Sequence, residues 1–175
     1  MIVFRNTDVD VPFFREGVEQ PEARWNGPSE GPAQYLSTTP DAAWAEFLRH
    51  QGIDDPADLA GVERAMWAVE ILDDEPSAEP ALPAAVLLGG TESYDACTRV
   101  ARRLRAGGVM RLSSQSAAVR AGSASGWRTD GGLVPGPPKD ERTIVLFGPR
   151  ADISAWLAAA PGRPAASLLP RVRCL

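Results

Sequence analysis

The chain reads Arg24-Trp25-Asn26-Gly27, then Tyr35-Leu36-Ser37-Thr38-Thr39-Pro40, then Trp44-Ala45-Glu46-Phe47 between residues 24 and 47. Within this stretch an arginine, a tyrosine and a glutamate (Arg24, Tyr35 and Glu46) stand at equal steps of eleven residues. Each falls on a different kind of local structure. Arg24 follows a loop, Tyr35 lies in a short apolar run, and Glu46 falls inside a predicted helix. A cation, an aromatic face and a carboxylate brought to one cleft suit a ligand with phosphates, a flat base and a cleavable sugar bond.

The helix around Glu46 follows from its caps and spacing. Thr39 is a good N-cap, because its hydroxyl accepts from a free amide of the first turn. Pro40 fits the first helical position, where a missing N–H costs nothing, and Asp41 suits the positive end of the dipole. Trp44, Phe47, Leu48 and Gln51 recur at helical spacing, and Gly52 supplies the stop. Trp44, Phe47 and Leu48 therefore form the buried stripe. Glu46 lies about 100° from Phe47 and about 200° from Trp44, off that stripe. It either edges a cleft or faces solvent, paired with Arg49 or His50 one turn on.

Outward from this helix, short strands and helices alternate. Residues 2 to 5 read as a strand, and the Gly- and Pro-rich stretch from 17 to 32 as an irregular loop carrying Arg24. Residues 33 to 37 form a strand and 40 to 51 the helix. Asp55-Pro56 opens a short helical turn. Ala65, Trp67, Val69 and Ile71 alternate as a strand should, closed by Asp73-Asp74-Glu75-Pro76. A proline-rich connection to Pro83 precedes a strand at 84–88, a helix at 93–106 capped by Gly107, and a strand at 109–112. Residues 117 to 142 hold many Gly, Ser and Pro residues and read as a long loop, a length that tends to be functional or mobile. A strand at 143–147, a helix at 152–159 and an edge strand from Val172 to Cys174 complete the chain. There are no repeats, no P-loop and no GxGxxG turn.

Composition sets outer bounds. A chain of 175 residues fits one domain with a sizeable core. No signal peptide is visible at Met1 to Arg5, and no run approaches the roughly 20 apolar residues of a membrane span. Two cysteines, Cys97 and Cys174, and one histidine, His50, make neither a disulfide framework nor a metal site. A reducing cytoplasm is the expected setting. Charge is uneven: residues 1 to 90 carry 5 arginines against 17 acidic side chains, and residues 91 to 175 carry 13 basic against 6 acidic. Arg99, Arg102, Arg103 and Arg105 cluster on one helix opposite an apolar stripe of Tyr94, Cys97, Val100, Ala101 and Leu104. Without basic–aromatic interleaving and with a net charge of −5, pairing with acidic neighbours from the first half explains them better than nucleic acid does.

The segments Phe4-Arg5, Ala23-Arg24-Trp25-Asn26, Gly31-Pro32-Ala33-Gln34-Tyr35-Leu36-Ser37 and Trp44-Ala45-Glu46 resemble the N-terminal half of the RES domain, a family named for an arginine, a glutamate and a serine. Trp67-Ala68-Val69-Glu70-Ile71, the arginine-rich helix and Ile144-Val145-Leu146-Phe147 continue the resemblance. It implies an α+β fold in one domain over residues 1–175, with ADP-ribosyltransferase-like packed β-sheets flanked by helices. It also implies an NAD-consuming enzyme: an NAD glycohydrolase, a phosphorylase or an ADP-ribosyltransferase. Family members are typically bacterial toxins held in check by a helix-turn-helix antitoxin. NAD is then substrate, no metal is required, and water, phosphate and a protein side chain all remain open as acceptors.

Carried over by residue, Arg24, Tyr35 and Glu46 match the family pattern, with Glu46 and Arg24 as catalytic residues. The serine has alternatives. Counting forward from Gly108 selects Ser113, Ser114 follows it, and aligning on Ser-Ala-Ala, with Gln115 in the usual proline position, selects Ser116. Ser116 is preferred, although a run of serines before a loop is also ordinary turn chemistry. In the implied mechanism Glu46 faces the oxocarbenium-like transition state and Arg24 holds the pyrophosphate. Tyr35 presents its ring to nicotinamide or ribose, and Ser116 bonds the carboxamide or a ribose hydroxyl. Arg5 is either a second phosphate contact or a structural arginine, whereas Trp25 and Asn26 shape the Arg24 turn. The long loop is expected to border the cleft, with Trp127 and Leu133 packed on the body or on a partner. The alternative is a catalytically weakened RES-like binding or regulatory module.

Overall fold

A short strand buried on both faces needs neighbours on both edges, and Ala33–Ser37 has them in a computed structural model that describes residues 1 to 173, the surroundings of the Ser125 side chain excepted. In chain order the elements are β1 (Ile2–Thr7), β2 (Ala33–Ser37), α1 (Pro40–Gln51), β3 (Arg64–Glu70), β4 (Ser77–Ala78), α2 (Ala84–Leu87), α3 (Tyr94–Ala106), β5 (Arg111–Gln115), β6 (Ala124–Thr129), β7 (Leu133–Lys139), β8 (Arg142–Phe147) and β9 (Ala155–Gly162). Seven of these strands form one mixed sheet in the order β4-β5-β8-β2-β1-β3-β9, with β2 in the middle. Only the β4–β5 pair of that sheet is parallel.

Strand alternation divides the sheet into two faces. Phe4, Tyr35, Thr143 and Val145 share the face that α1 and α3 cover, as the register of β1, β2 and β8 requires. There Trp44 and Leu48 of α1 pack with Met66 and Leu168, while Cys97 and Ala101 of α3 pack with Trp25, Leu112 and Phe147. On the opposite face Val3, Leu36, Val69, Ile144 and Leu146 are buried under Phe14 and Ile71. The helix caps follow the sequence. Thr39 Oγ1 accepts from the Ala42 amide at 3.2 Å, and Gly52 closes α1 at φ 63°.

Four expectations need correction. The apolar run 84–88 is not a strand: Ala84–Leu87 forms one helical turn, because Val86 and Leu87 pack against α3. Residues 152–159 are not a helix. Ala155–Gly162 is β9, paired antiparallel to β3, and this edge pairing overrides the helix propensity of its alanines. The span 117–142 is not a plain loop, since β6 and β7 form a separate hairpin whose Gly131 and Gly132, at φ 65° and 156°, make the turn. Val172 makes only an isolated bridge to Val119 after a short 3-10 helix (Ala166–Arg171), and Cys174 lies outside the described residues.

Six of the twelve arginines of the second half meet carboxylates of the first. Arg102 and Arg105 hold Glu30, Arg111 and Arg150 flank Glu75, Arg142 meets Glu79 at 2.6 Å, and Arg171 faces Asp41. The Glu30 clamp ties the loop that carries Arg24 to α3. Burial works to raise the Glu30 carboxyl, but the Gly27 amide and the two guanidiniums outweigh it and hold it below the usual range. A carboxyl depressed in the folded state stabilises the fold above its unfolded pKa, near about 4.3, and that contribution is lost as pH falls through the folded value. Glu30→Gln is expected to cost roughly 1 kcal/mol at pH 7, discounted for the exposure of Arg102. In urea titrations the difference from the parent should close below about pH 4; a difference that persists unchanged there contradicts the ionic account.

Candidate active site

The N-terminus of α1 is clamped to the start of β8. Thr38 Oγ1 and Thr39 Oγ1 donate to the two oxygens of the buried Glu141 carboxylate, at 2.6 and 2.5 Å. This fixes the helix register against the sheet and so fixes Glu46, two turns along. Glu46 Oε1 accepts from Thr143 Oγ1 at 3.1 Å and from Ser116 Oγ at 3.4 Å. Its other oxygen lies 3.9 Å from His50 Nε2, and the side chain keeps 28% of its surface exposed. Glu46 is thus neither buried nor merely solvated: it stands in the wall of a cavity.

That cavity, of about 340 Å³, is also lined by Arg24, Tyr35, Arg49, Tyr94 and Thr143. Arg24 is buried and strongly positioned. Its guanidinium donates to Val86 O at 3.1 Å, Ser93 Oγ at 2.9 Å and Gly89 O at 2.5 Å, and lies 5.1 Å over the Tyr94 ring. Arg49 donates to the same Gly89 carbonyl at 3.1 Å and to Ala117 O. Burial pulls the Arg49 guanidinium below its usual pKa, against the opposing pull of Glu46. Tyr35 donates from its hydroxyl to Asn26 Oδ1 and accepts from the Trp25 amide, both at 2.8 Å. Burial raises the Tyr35 hydroxyl well above its usual pKa, so it stays a neutral donor.

Arg24, Tyr35 and Glu46 therefore meet in one cavity, and of the three serines only Ser116 reaches Glu46. Ser113 accepts from Arg142 Nε at 2.7 Å, and Ser114 donates to Gln115 O at 3.3 Å. Ser116 is buried behind Glu46 rather than in the cavity wall, and its Oγ also accepts from the Ala118 amide at 3.2 Å. Trp25 and Asn26 are buried in the turn that carries Arg24. Arg5 donates to Gln34 Oε1 at 2.6 Å and lines the cavity.

Sequence reasoning treated Arg49 only as a surface partner and did not single out Thr143 or Tyr94 for the site. Arg49 was findable, because it sits three residues after Glu46 and shares its side of the helix; Thr143 and Tyr94 arrive through long-range packing that no local pattern announces. Among the described residues of the span 117–142, only Ala117 lines the cavity. Trp127 and Leu133 are 67% and 68% exposed and do not line the cavity, so they are not the buried anchors expected of them. Among the described residues no cluster of three His, Cys, Asp or Glu side chains could hold a metal, and no helix is long and apolar enough to cross a membrane.

The RES domain family model matches residues 3–161. The chain belongs to the RES domain family. In fold, this RES chain is similar to a chain from the crystal structure of the M.tuberculosis MbcT-MbcA toxin-antitoxin complex. The TM-score is 0.58 at 14% identity, covering 97% of this chain and 86% of that one. The expected α+β arrangement, a large mixed sheet flanked by helices, is shared with it. No curated protein matches the sequence.

Because the Trp25 amide donates to the Tyr35 hydroxyl and to no other group among the described residues, Tyr35→Phe should leave that buried donor unpaired. The expected cost is about 1–3 kcal/mol, read as a lower chemical-denaturation midpoint at unchanged slope. A variant as stable as the parent shows that the Arg24 turn does not depend on this bond.

Proposed function

We propose that this RES chain, as one domain over residues 1–175, is an NAD-consuming enzyme that breaks the nicotinamide–ribose bond, either as an NAD glycohydrolase or phosphorylase or as an ADP-ribosyltransferase. The observation that carries this reading is the Glu46 carboxylate, held on one oxygen by two hydroxyls, in a cavity shared with Arg24 and Tyr35. Cleavage of an N-glycosidic bond sends the bonding electrons out with nicotinamide and leaves an oxocarbenium-like sugar. A carboxylate fixed beside the anomeric carbon stabilises that charge, and can take the proton of the acceptor as it adds. Neutral hydroxyl donors suit this task, since they orient the carboxylate without cancelling its charge.

In this reading Glu46 and Arg24 are the catalytic pair. Arg24 and Arg49 present two cations to the ligand phosphates, Tyr35 lends its ring edge to nicotinamide or ribose, and Ser116 serves the ligand site by holding Glu46. NAD is the substrate and no metal is needed. The similar fold comes from a toxin-antitoxin complex, which supports a toxin role restrained by a protein antitoxin, in the cytoplasm that the cysteine content leads us to expect.

Glu46→Gln keeps the size and an oxygen that can still accept from Ser116 and Thr143, while removing the charge. Nicotinamide release from NAD is expected to fall at least about 10²-fold, with little change in stability. Undiminished release in this variant would return Glu46 to a structural role. Removing the hydroxyl that lies outside the cavity wall, Ser116→Ala, should lower kcat while KM moves little, because the carboxylate loses part of its orientation and not the ligand its contacts. A change confined to KM contradicts that assignment.

A further inference from the structure

Arg24, from the loop before β2, and Arg49, from α1, are both buried and meet at one atom. The Gly89 carbonyl accepts from Arg24 Nη2 at 2.5 Å and from Arg49 Nη2 at 3.1 Å. Two buried guanidiniums repel one another, so the position of that carbonyl decides how close they stand. It belongs to the turn at residues 89–93, between α2 and α3. The same turn gives Arg24 the Ser93 hydroxyl, which itself donates to Gly90 O at 2.7 Å, while the Ser93 amide donates to Gly90 O at 3.1 Å. Neither Gly89 nor Ser93 is part of the cavity wall. The turn is a mount for two cations and not a contact for the ligand.

Space requires glycine at position 89, because a Cβ there would stand 2.9 Å from Ala85 O and 3.2 Å from Ser93 Cβ. Glu92 closes the turn from outside. Its Oε1 accepts from the Gly90 amide at 2.8 Å, and the side chain is exposed and no part of the cavity wall. Its own amide and the Gly90 amide, joined by Arg24 and Arg49, hold the Glu92 carboxyl below the usual carboxylate range, outweighing desolvation. Without that carboxylate, two successive glycines with few steric limits are left with the bonds that Ser93 makes to Gly90 O. We propose that Glu92 is a positioning residue: by fixing the Gly90 amide it holds the Gly89 carbonyl, and through it the spacing of Arg24 and Arg49 that an anionic ligand meets.

The tether and the charge of Glu92 act in opposite directions. Removing a carboxylate near two cations strengthens their pull on an anion, whereas releasing the turn weakens it. The proposal rests on Arg24 and Arg49 meeting the ligand phosphates, and inorganic pyrophosphate reads the two cations without any bond cleavage. In calorimetry Glu92→Ala should bind pyrophosphate about fivefold more weakly than the parent, the scale of one hydrogen bond, although it has lost a repelling charge. Glu92→Gln keeps an oxygen for the Gly90 amide and should bind at least as tightly as the parent. Gly89→Ala, which moves the carbonyl itself, should weaken binding at least as far as Glu92→Ala. In NAD cleavage Glu92→Ala should raise KM by a similar factor and leave kcat within about twofold. The proposal is overturned if pyrophosphate does not bind the parent, if Glu92→Ala or Gly89→Ala binds it as well as the parent, if Glu92→Gln is weakened as much as Glu92→Ala, or if the loss in NAD cleavage falls on kcat alone. Pyrophosphate binding in the expected order, in a chain that cleaves no NAD, keeps the positioning role and defeats the NAD-cleaving reading.

Discussion

A polar side chain inside a sheet must be paired, and the middle strand of this fold carries two in succession. Gln34, 1% exposed, accepts from Arg5 Nη1 at 2.6 Å and from the Arg15 amide at 3.3 Å, and its own amide donates to Arg15 O. Tyr35, pointing to the other face, pins the Trp25–Asn26 turn. An unpaired buried group of this kind costs about 1–3 kcal/mol, so neither segment can drift without losing its partner. Two irregular stretches, the one around Arg15 and the one carrying Arg24, are thereby referred to a single rigid strand. Arg5, bonded to Gln34, and Arg24, on the pinned turn, are brought to the cavity wall in this way.

The cations so placed are not neutralised by the protein. Six of the twelve arginines of the second half meet carboxylates of the first, which offsets part of the lopsided charge of the sequence within the fold. Arg24 and Arg49 instead converge on the Gly89 carbonyl, a neutral acceptor. A carbonyl fixes a guanidinium in place while leaving its field intact, which is what a site for an anionic ligand requires. The surface of the molecule is thus negative on balance, and the cleft is locally positive.

What the sequence made legible is what short-range physics decides. The helix carrying Glu46 could be read from Thr39, Pro40 and Gly52 because caps act over a few residues. The strands around Tyr35 and Ile144 could be read because their apolar content is local. Ala155–Gly162 misled because five of its eight residues, Ala155, Leu157, Ala158, Ala159 and Ala160, favour a helix by propensity, whereas its conformation is decided by β3, far away in sequence. Ala84–Leu87 misled for the reason that a short apolar run has no resolvable period. The β6–β7 hairpin did leave a signal in Asp130-Gly131-Gly132, a turn that suits two antiparallel strands. It was masked by Pro135, Pro137 and Pro138, which β7 tolerates because it pairs on one side only. At the site, Arg24, Tyr35 and Glu46 were visible as residue types at even spacing. The groups that orient them, Thr143, Ser93 and Gly89, were not, since their roles exist only once distant segments meet.

The manner in which Glu46 is held explains why a serine and a threonine, rather than a base, stand behind it. A lysine or arginine in their place would fix the carboxylate more tightly, but would also cancel the charge that the proposed bond cleavage calls for. Among the described residues Glu46 has one ion-pairing neighbour, His50 at 3.9 Å on the exposed side. Two hydroxyls on Oε1 take up that oxygen and leave Oε2 facing His50 alone among the described residues. Orientation is then supplied by groups of no net charge, anchored in β8 and in the segment after β5, while the full negative charge remains available. Pre-organised electrostatics of this kind costs nothing at the moment of reaction, because the reorganisation was completed when the central sheet closed around Tyr35 and Thr143.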